Sequence, residues 1–381
     1  MNPKKQTSFK QQSGVVLIVV VLAIVLMVTL LAIMIEEQHI FIRRLGNQNV
    51  SEQGFQYTQG LNAWAEQVLH EDANRTIDHP EEKWAKFGRP DDESNENESE
   101  SFSLDRSTDA ALAEEDEEDA TIDFGIDSVE VIIDDLQGRF NLNNLGVREP
   151  QTASQQKRIF LNLLELLEIG EFDERDRLHG ALVDWIDEND LRGPNGVESG
   201  DYGGKNIPYF AADQKLTSIG ELRFVEGFNE EIIRKLKPYV AVLPVENAKI
   251  NINTTTTEVL ASLNSATVTD TGSVAGFLAR RLEPGFQGFS QVNDAETAVN
   301  GASVTGAPFT PNMMQLNSQF FQINAKVTLG DSVFCMESLV LRESAGPEGG
   351  ATPSVSVLSR QTNTLCEEQS PITTISDEDL S

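Results

Sequence analysis

The chain has 381 residues, enough for two compact domains, and its 61 acids against 29 lysines and arginines leave a formal charge of −32. That charge excludes the usual electrostatic grip on nucleic acid or anionic lipid, which rests on clustered Lys and Arg. With only two cysteines, Cys335 and Cys366, a zinc site of the four-thiolate kind is excluded too.

Near the N-terminus, Gly14 to Ile35 form an apolar run of 22 residues with no charge and one polar side chain, Thr29. A helix of that length crosses the hydrocarbon core of a bilayer. Lys4, Lys5 and Lys10 precede the run and Glu36 and Glu37 follow it. The positive-inside rule then keeps the N-terminus cytoplasmic and puts residues 36–381 across the membrane, which in a bacterial inner membrane is the periplasm. A Sec signal peptide shares the basic start, but its apolar core is usually shorter and nothing like A-x-A ends this one.

Helical spacing continues past the membrane run. Ile40, Leu45, Leu61, Trp64, Val68 and Leu69 predict a single helix from about Val15 to Leu69, roughly 80 Å long at the helical rise. Gly46, Gly54 and Gly60 mark where it would bend. From Asp91 to Asp123 there follow 15 acids against the single base Arg106, the composition of a solvated, disordered loop.

Two alternating stretches come next and last. "SVEVIIDD" and "GRFNLNNL" place Val129, Val131 and Ile133, then Phe140 and Leu142, on one face, with a turn at Leu136 to Gly138. Near the end, Ile323, Ala325, Val327 and Leu329 are followed by a Gly330-Asp331 turn and then Val333, Cys335, Leu339 and Leu341. Both read as antiparallel hairpins, and packing them as one sheet against the outer half of the long helix buries both. Between them, residues 146–315 show helical spacing in several segments, with Ser218 and Thr254 as caps. The fold class is therefore α+β: a long N-terminal transmembrane helix on an antiparallel sheet, with a large inserted helical domain. "GRFNLNNL" and "AKININTTT" resemble one another, each alternating apolar residues with Asn before a helix.

The densest set of oxygen ligands outside the acidic run is Asp184, Asp187, Asn189, Asp190, Glu198 and Asp201, around Gly193, Pro194 and Gly196. A hard cation such as Ca²⁺ takes six to eight oxygens, which a loop supplies more readily than a rigid helix. The spacing is not that of an EF-hand, since Leu191 and Arg192 stand where a ligand and a glycine are needed. A solvated polar turn is the plain alternative. Enzyme signals are absent: His39, His70, His79 and His179 form no close pair, and there is no G-x-S-x-G and no phosphate loop. Trp64, Trp84 and Trp185 read as packing residues. In an oxidising compartment Cys335 and Cys366 have one intramolecular connectivity, which would tie the Ser/Thr-rich tail to the body; two separate thiols are the alternative.

These residues carry a resemblance. The basic leader ending "QQSG", the apolar helix beginning "VVLIVVVLAIVL" and its amphipathic extension resemble type IV pilins and pseudopilins. "GRFNLNNL", "LVDWIDEND", "LTSIGELRFVEGF" and "ININTTTTEVL", in this order, resemble the minor pseudopilin K family of the type II (general) secretion pathway. The resemblance implies a leader at 1–14 cut by prepilin peptidase between Gly14 and Val15, methylation of the new amine, and a membrane segment at 15–35. A pilin-like domain would span 36–145 and 316–342 around an insertion at 146–315, with a tail at 343–381. Most pilins carry Glu at the fifth mature position, where this chain has Val19, and that departure is itself a mark of pseudopilin K. The implied role is a tip subunit of the pseudopilus, assembled with minor pseudopilins I and J, priming the filament that exports folded proteins across the outer membrane. The resemblance also implies Ca²⁺ in the inserted domain. A rival reading, a membrane-anchored DNA-uptake receptor, rests on the likeness of "ININTTTTEVLASL" to half of a helix-hairpin-helix element. Its hairpin glycine is replaced by Asn264 and Ser265, and the charge is wrong.

Overall fold

The computed structural model describes residues 13–72, 76–87, 126–264, 271–281, 283, 285–292, 311–343 and 354–363. The acidic run at 91–123, the first 12 residues and Cys366 lie outside them. The chain divides into two units, Met1–Gln56 and Tyr57–Ser381.

Helix α1 (Ser13–Glu71) is continuous. The glycines do not break it: Gly46 and Gly60 sit inside the helix with open space where a Cβ would lie. Among the described residues, α1 is the one helix long and apolar enough to cross a membrane. Its residues from Leu17 to Ile35 expose their large apolar side chains, whereas in the outer turns Leu61, Ala65 and Leu69 are buried at a spacing of four. A short helix, α2 (Lys83–Lys86), follows and buries Trp84 edge-on to Phe321.

The sheet has four antiparallel strands in the order β1 (Ser128–Asp135), β6 (Phe320–Leu329), β7 (Ser332–Glu343) and β8 (Ser354–Asn363). Arg360 on β8 reaches Glu66 on α1 at 2.7 Å. Three of its features correct the reading from sequence. The first expected hairpin does not form, because β1 pairs with β6 along its whole length. Asp135 accepts the Gln137 backbone N–H and ends β1 in a turn, and the Gln137 side chain then accepts the N–H groups of Gln319 and Phe320, holding the start of β6 beside the end of β1.

The second hairpin forms, but with one strand inverted. β6 buries Ile323, Ala325, Val327 and Leu329 as expected, whereas β7 buries Met336, Ser338, Val340 and Arg342. The Gly330-Asp331 loop pairs Leu329 with Ser332, so every odd position on β6 faces an even one on β7. Val333, Cys335, Leu339 and Leu341 therefore point to the other side, where Leu339 and Leu341 pack against Leu136, Leu243 and Phe320. The third correction is β8: part of the expected tail is a strand paired to β7 from Ser354 to Asn363, and Cys335 lies opposite Asn363.

The described elements between β1 and β6 make up the helical body. Its elements are β2 (Phe140–Asn141), α3 (Pro150–Leu166), α4 (Phe172–Ile186), α5 (Ser199–Tyr202), α6 (Glu230–Leu236), β3 (Val240–Ala241), β4 (Ile250–Asn251), α7 (Thr257–Ser262), α8 (Ala275–Arg281) and β5 (Met314–Gln315). The two Asn-rich segments are alike in three dimensions: β2 pairs in parallel with β3, and β4 in parallel with β5. Their asparagines replace ladder bonds with side-chain bonds. Asn143 donates to the Leu216 and Leu243 carbonyls and accepts the Leu216 N–H; Asn253 donates to the Phe289 and Leu316 carbonyls and accepts the Phe289 N–H. Ser218 caps its 3₁₀ turn in a capping box with Glu221. Thr256, and not Thr254, caps α7, since the Thr254 hydroxyl donates to Asp135 at 2.6 Å.

Candidate metal centre

The C-terminus of α4, the loop after it and Asp213 further along the chain bring five carboxylates together. Asp184 lies on the last turn of α4 and is 1 % exposed. It accepts the Gly193 N–H at 3.1 and 3.2 Å, so the loop closes back over the helix end. The glycines make this closure fit. A Cβ at Gly196 would stand 1.8 Å from an Asp184 oxygen, and one at Gly193 2.8 Å from the other.

Two groups of carboxylates form, each with ligand oxygens within 4.8 Å of one another: Asp184 with Asp187 and Glu198, and Asp190 with Glu198 and Asp213. Glu198 belongs to both. Burial pushes its carboxyl up to about 7, and Asp184 adds to the shift by repulsion. Burial likewise raises Asp184, with repulsion from Asp187, and raises Asp213, with repulsion from Asp190 and Asp187. The Glu198 Oε1 and Asp213 Oδ1 atoms are buried without a hydrogen-bond partner. An all-oxygen set with crowded negative charge and orphaned acceptors is the chemistry that suits a hard divalent cation, and Ca²⁺ fits it.

Of the residues singled out from sequence, Asp184, Asp187, Asp190 and Glu198 converge. Asp201 is outside both groups: it accepts the Glu198 backbone N–H and faces Arg192 at 3.5 Å. Asn189 donates to Asp187 and accepts the Leu191 N–H, which shapes the loop. Asp213 escaped the sequence reading. It lies well beyond the loop in the chain, in an isolated left-handed conformation (φ 49°), and no local spacing marks it. A third carboxylate group, Asp72, Asp78 and Glu82, already has its cation. Arg342, 1 % exposed, pairs with Asp72 and with both oxygens of Asp78 at 2.5 Å, and lies over the Phe321 ring.

The segment "ININTTTTEVL" forms β4, its turn and the start of α7. Asn251 and Asn253 spend their amides on Asp135, Ser318 and internal carbonyls, so this element offers no asparagine to a phosphate backbone. The family model described as "Type II secretion system (T2SS), protein K" matches residues 138–245, the part of the helical body that holds both carboxylate groups. Type II secretion system protein K of Pseudomonas aeruginosa is 29 % identical over 328 residues, covering 84 % of this chain and 86 % of its own length. Over most of its length this chain is thus similar to type II secretion system protein K. The protein K of Aeromonas hydrophila is 25 % identical, over 88 % of this chain and 94 % of its own. In fold, the chain matches a solved structure of the GspK-GspI-GspJ complex from enterotoxigenic Escherichia coli. That match has a TM-score of 0.60 at 23 % identity, over 84 % of this chain and 99 % of the other. The apolar α1 accords with a membrane anchor.

Proposed function

We propose that this chain is the minor pseudopilin at the tip of the type II secretion pseudopilus, joining minor pseudopilins I and J to prime filament assembly and support export across the outer membrane. Prepilin peptidase would cut between Gly14 and Val15, leaving α1 in the inner membrane and the sheet and helical body in the periplasm. The observation that carries the reading is the pairing of an uncharged Val19 in α1 with a helical body inserted between β1 and β6. A pilin helix normally offers a buried carboxylate at this position to a neighbour's N-terminal ammonium, and burying such an acid unpaired is costly. A chain without it has no use for a subunit above, and the helical body inserted between β1 and β6 adds bulk that a stacked subunit would have to avoid. The fold likeness to a protein crystallised with GspI and GspJ supports the partners. The test is epitope labelling of overexpressed pseudopili, together with mass analysis of the membrane-extracted N-terminus. Label at one end and a chain starting at Val15 support the proposal. Label along the shaft, or an intact Met1, overturns it.

Calcium belongs to the same proposal. Asp184, Asp187 and Glu198 would hold one ion and Asp190, Glu198 and Asp213 a second, sharing Glu198. A ligand that binds only the folded state raises its melting temperature by mass action. Calcium should therefore stabilise the wild type, and Asp187→Ala with Asp190→Ala should remove most of that rise. An unchanged response in the double variant would place the site elsewhere.

A further inference from the structure

The loop that carries the carboxylates is seated on α4 by one stripe of that helix. Asp176, Gly180 and Asp184 recur every four residues, so they lie one above another on the same face. Each meets a different part of the loop. Asp184, in the last turn of α4, accepts the Gly193 N–H. Gly180, about one turn earlier, has the Pro194 and Asn195 backbone against it: a Cβ there would stand 2.7 Å from the carbonyl oxygens of both. Asp176, earlier again by the same step, accepts the Asn195 side-chain amide at 2.5 Å. The chain from Gly193 to Asn195 therefore runs back along α4, fastened at both ends.

Local sequence shapes the loop for this seat. Gly193-Pro194-Asn195-Gly196 puts Pro and Asn at the two central positions of a four-residue turn, and the Gly196 N–H returns to the Gly193 carbonyl at 3.1 Å. Asn195 takes the left-handed conformation (φ 61°) that the third position of a type II turn needs, and asparagine tolerates it better than most side chains. Arg192 donates from Nε to the Gly196 carbonyl at 2.8 Å, so the turn has a closure of its own. Asp176 belongs to neither carboxylate group. Its two oxygens are taken, one by Asn195 and the other by Lys157 of α3 at 2.5 Å. Lys157 holds the Asp176 carboxyl below its ordinary range, so the Asn195 amide is bound by an anion, the stronger kind of hydrogen bond.

Without a cation, repulsion among Asp184, Asp187 and Glu198 pushes the loop away from α4. A contact that holds the loop down before the ion arrives lowers the ordering cost of binding. We propose that Asp176 and Asn195 are positioning residues of the calcium site: bound to each other outside the ligand set, they keep the 193–196 turn on α4 and so hold the segment with Asp187, Asp190 and Glu198 against Asp184. This role rests on the calcium reading above and adds to it two residues that touch no ion.

The test measures calcium affinity of the full-length chain in detergent by calorimetric titration with calcium chloride, beside the melting temperature in chelator. Asn195→Gly removes the amide and keeps a residue that adopts positive φ freely; Asp176→Ala removes the acceptor. Each should weaken calcium binding by roughly tenfold or more, as when groups that orient metal ligands are lost. The double variant should lose no more than either single one, since the same contact is cut in all three. The melting temperature in chelator should move by about 2 °C or less, as for a surface substitution. Asp173→Ala removes the same charge from the exposed first turn of α4 and should bind calcium like the wild type. Wild-type affinity in Asn195→Gly or Asp176→Ala, equal loss in Asp173→Ala, or additive losses in the double variant would overturn the positioning role and leave the calcium reading standing. A large fall of the melting temperature in chelator alongside the lost affinity would also overturn it, in favour of a contact that merely holds the fold. A wild type that binds no calcium overturns the calcium reading and this role with it.

Discussion

Removing the Arg342 side chain isolates the buried charge between the end of α1 and the sheet. The guanidinium holds Asp72 and Asp78, donates to the Ser318 carbonyl at 2.9 Å and lies 4.6 Å from the Phe321 ring centroid. Asp78 is 0 % exposed and accepts the Ser318 N–H at 2.6 Å, so Arg342→Met fills most of the volume and leaves a buried carboxylate without its cation. Breaking a buried pair from one side costs roughly 3–5 kcal/mol, or a fall of roughly 6–20 °C in Tm at about 2–4 °C per kcal/mol for a body of this size. Burial already pushes the Asp78 carboxyl up to about 7, with Arg342 opposing it. Without Arg342 the folded-state pKa rises further above the unfolded value. The protonated form is then tolerated below that pKa, and the loss of stability grows as pH rises through it. The deficit of Arg342→Met should thus be larger at pH 8 than at pH 5.5, and adding Asp78→Asn should recover much of it at pH 8. Thermal unfolding of the full chain in detergent reports this through Trp84, whose ring packs 5.1 Å from Phe321. A deficit below about 1 kcal/mol, or one equal at both pH values, would show that the pair is not charged and buried as described.

Three further outcomes are expected. The Glu198 carboxyl, about 7 in the fold against an ordinary 4.5, contributes stability that is present below pH 4.5 and lost as pH rises through 7. In chelator the protein should therefore unfold more easily at pH 8 than at pH 5 by up to roughly 3 kcal/mol, and saturating Ca²⁺ should reverse that order; identical pH profiles with and without the ion would contradict the site. Gly196→Ala should abolish the calcium response, because its Cβ would collide with Asp184, whereas Gly200→Ala, with open space at its Cβ, should retain it in a calcium-dependent Tm measurement. Val340→Asp should destabilise the sheet by roughly 3 kcal/mol or more and Val333→Asp by little, since Val340 is 0 % and Val333 37 % exposed; denaturant titration giving the opposite order would restore the register read from sequence.

The length, hydropathy and flanking charge of α1 were legible in the sequence because each depends on neighbouring residues, and so were the odd-numbered core positions of β6 and the four carboxylates of the α4 loop. The pairing of β1 with β6 was not legible. It is decided by Gln137 and Asp135, whose partners Gln319, Ser318, Thr254 and Asn251 lie more than a hundred residues away in the chain. The face of β7 was legible in principle, since a two-residue turn reverses parity, but its apolar residues alternate with apolar residues on the other side as well: Leu339 and Leu341 pack on the helical body. Asp213 and the charge state of Glu198 belong wholly to the tertiary structure. A carboxylate joins such a cluster, and its pKa rises, only when folding removes its water and sets other carboxylates against it, and no spacing along the chain encodes that proximity.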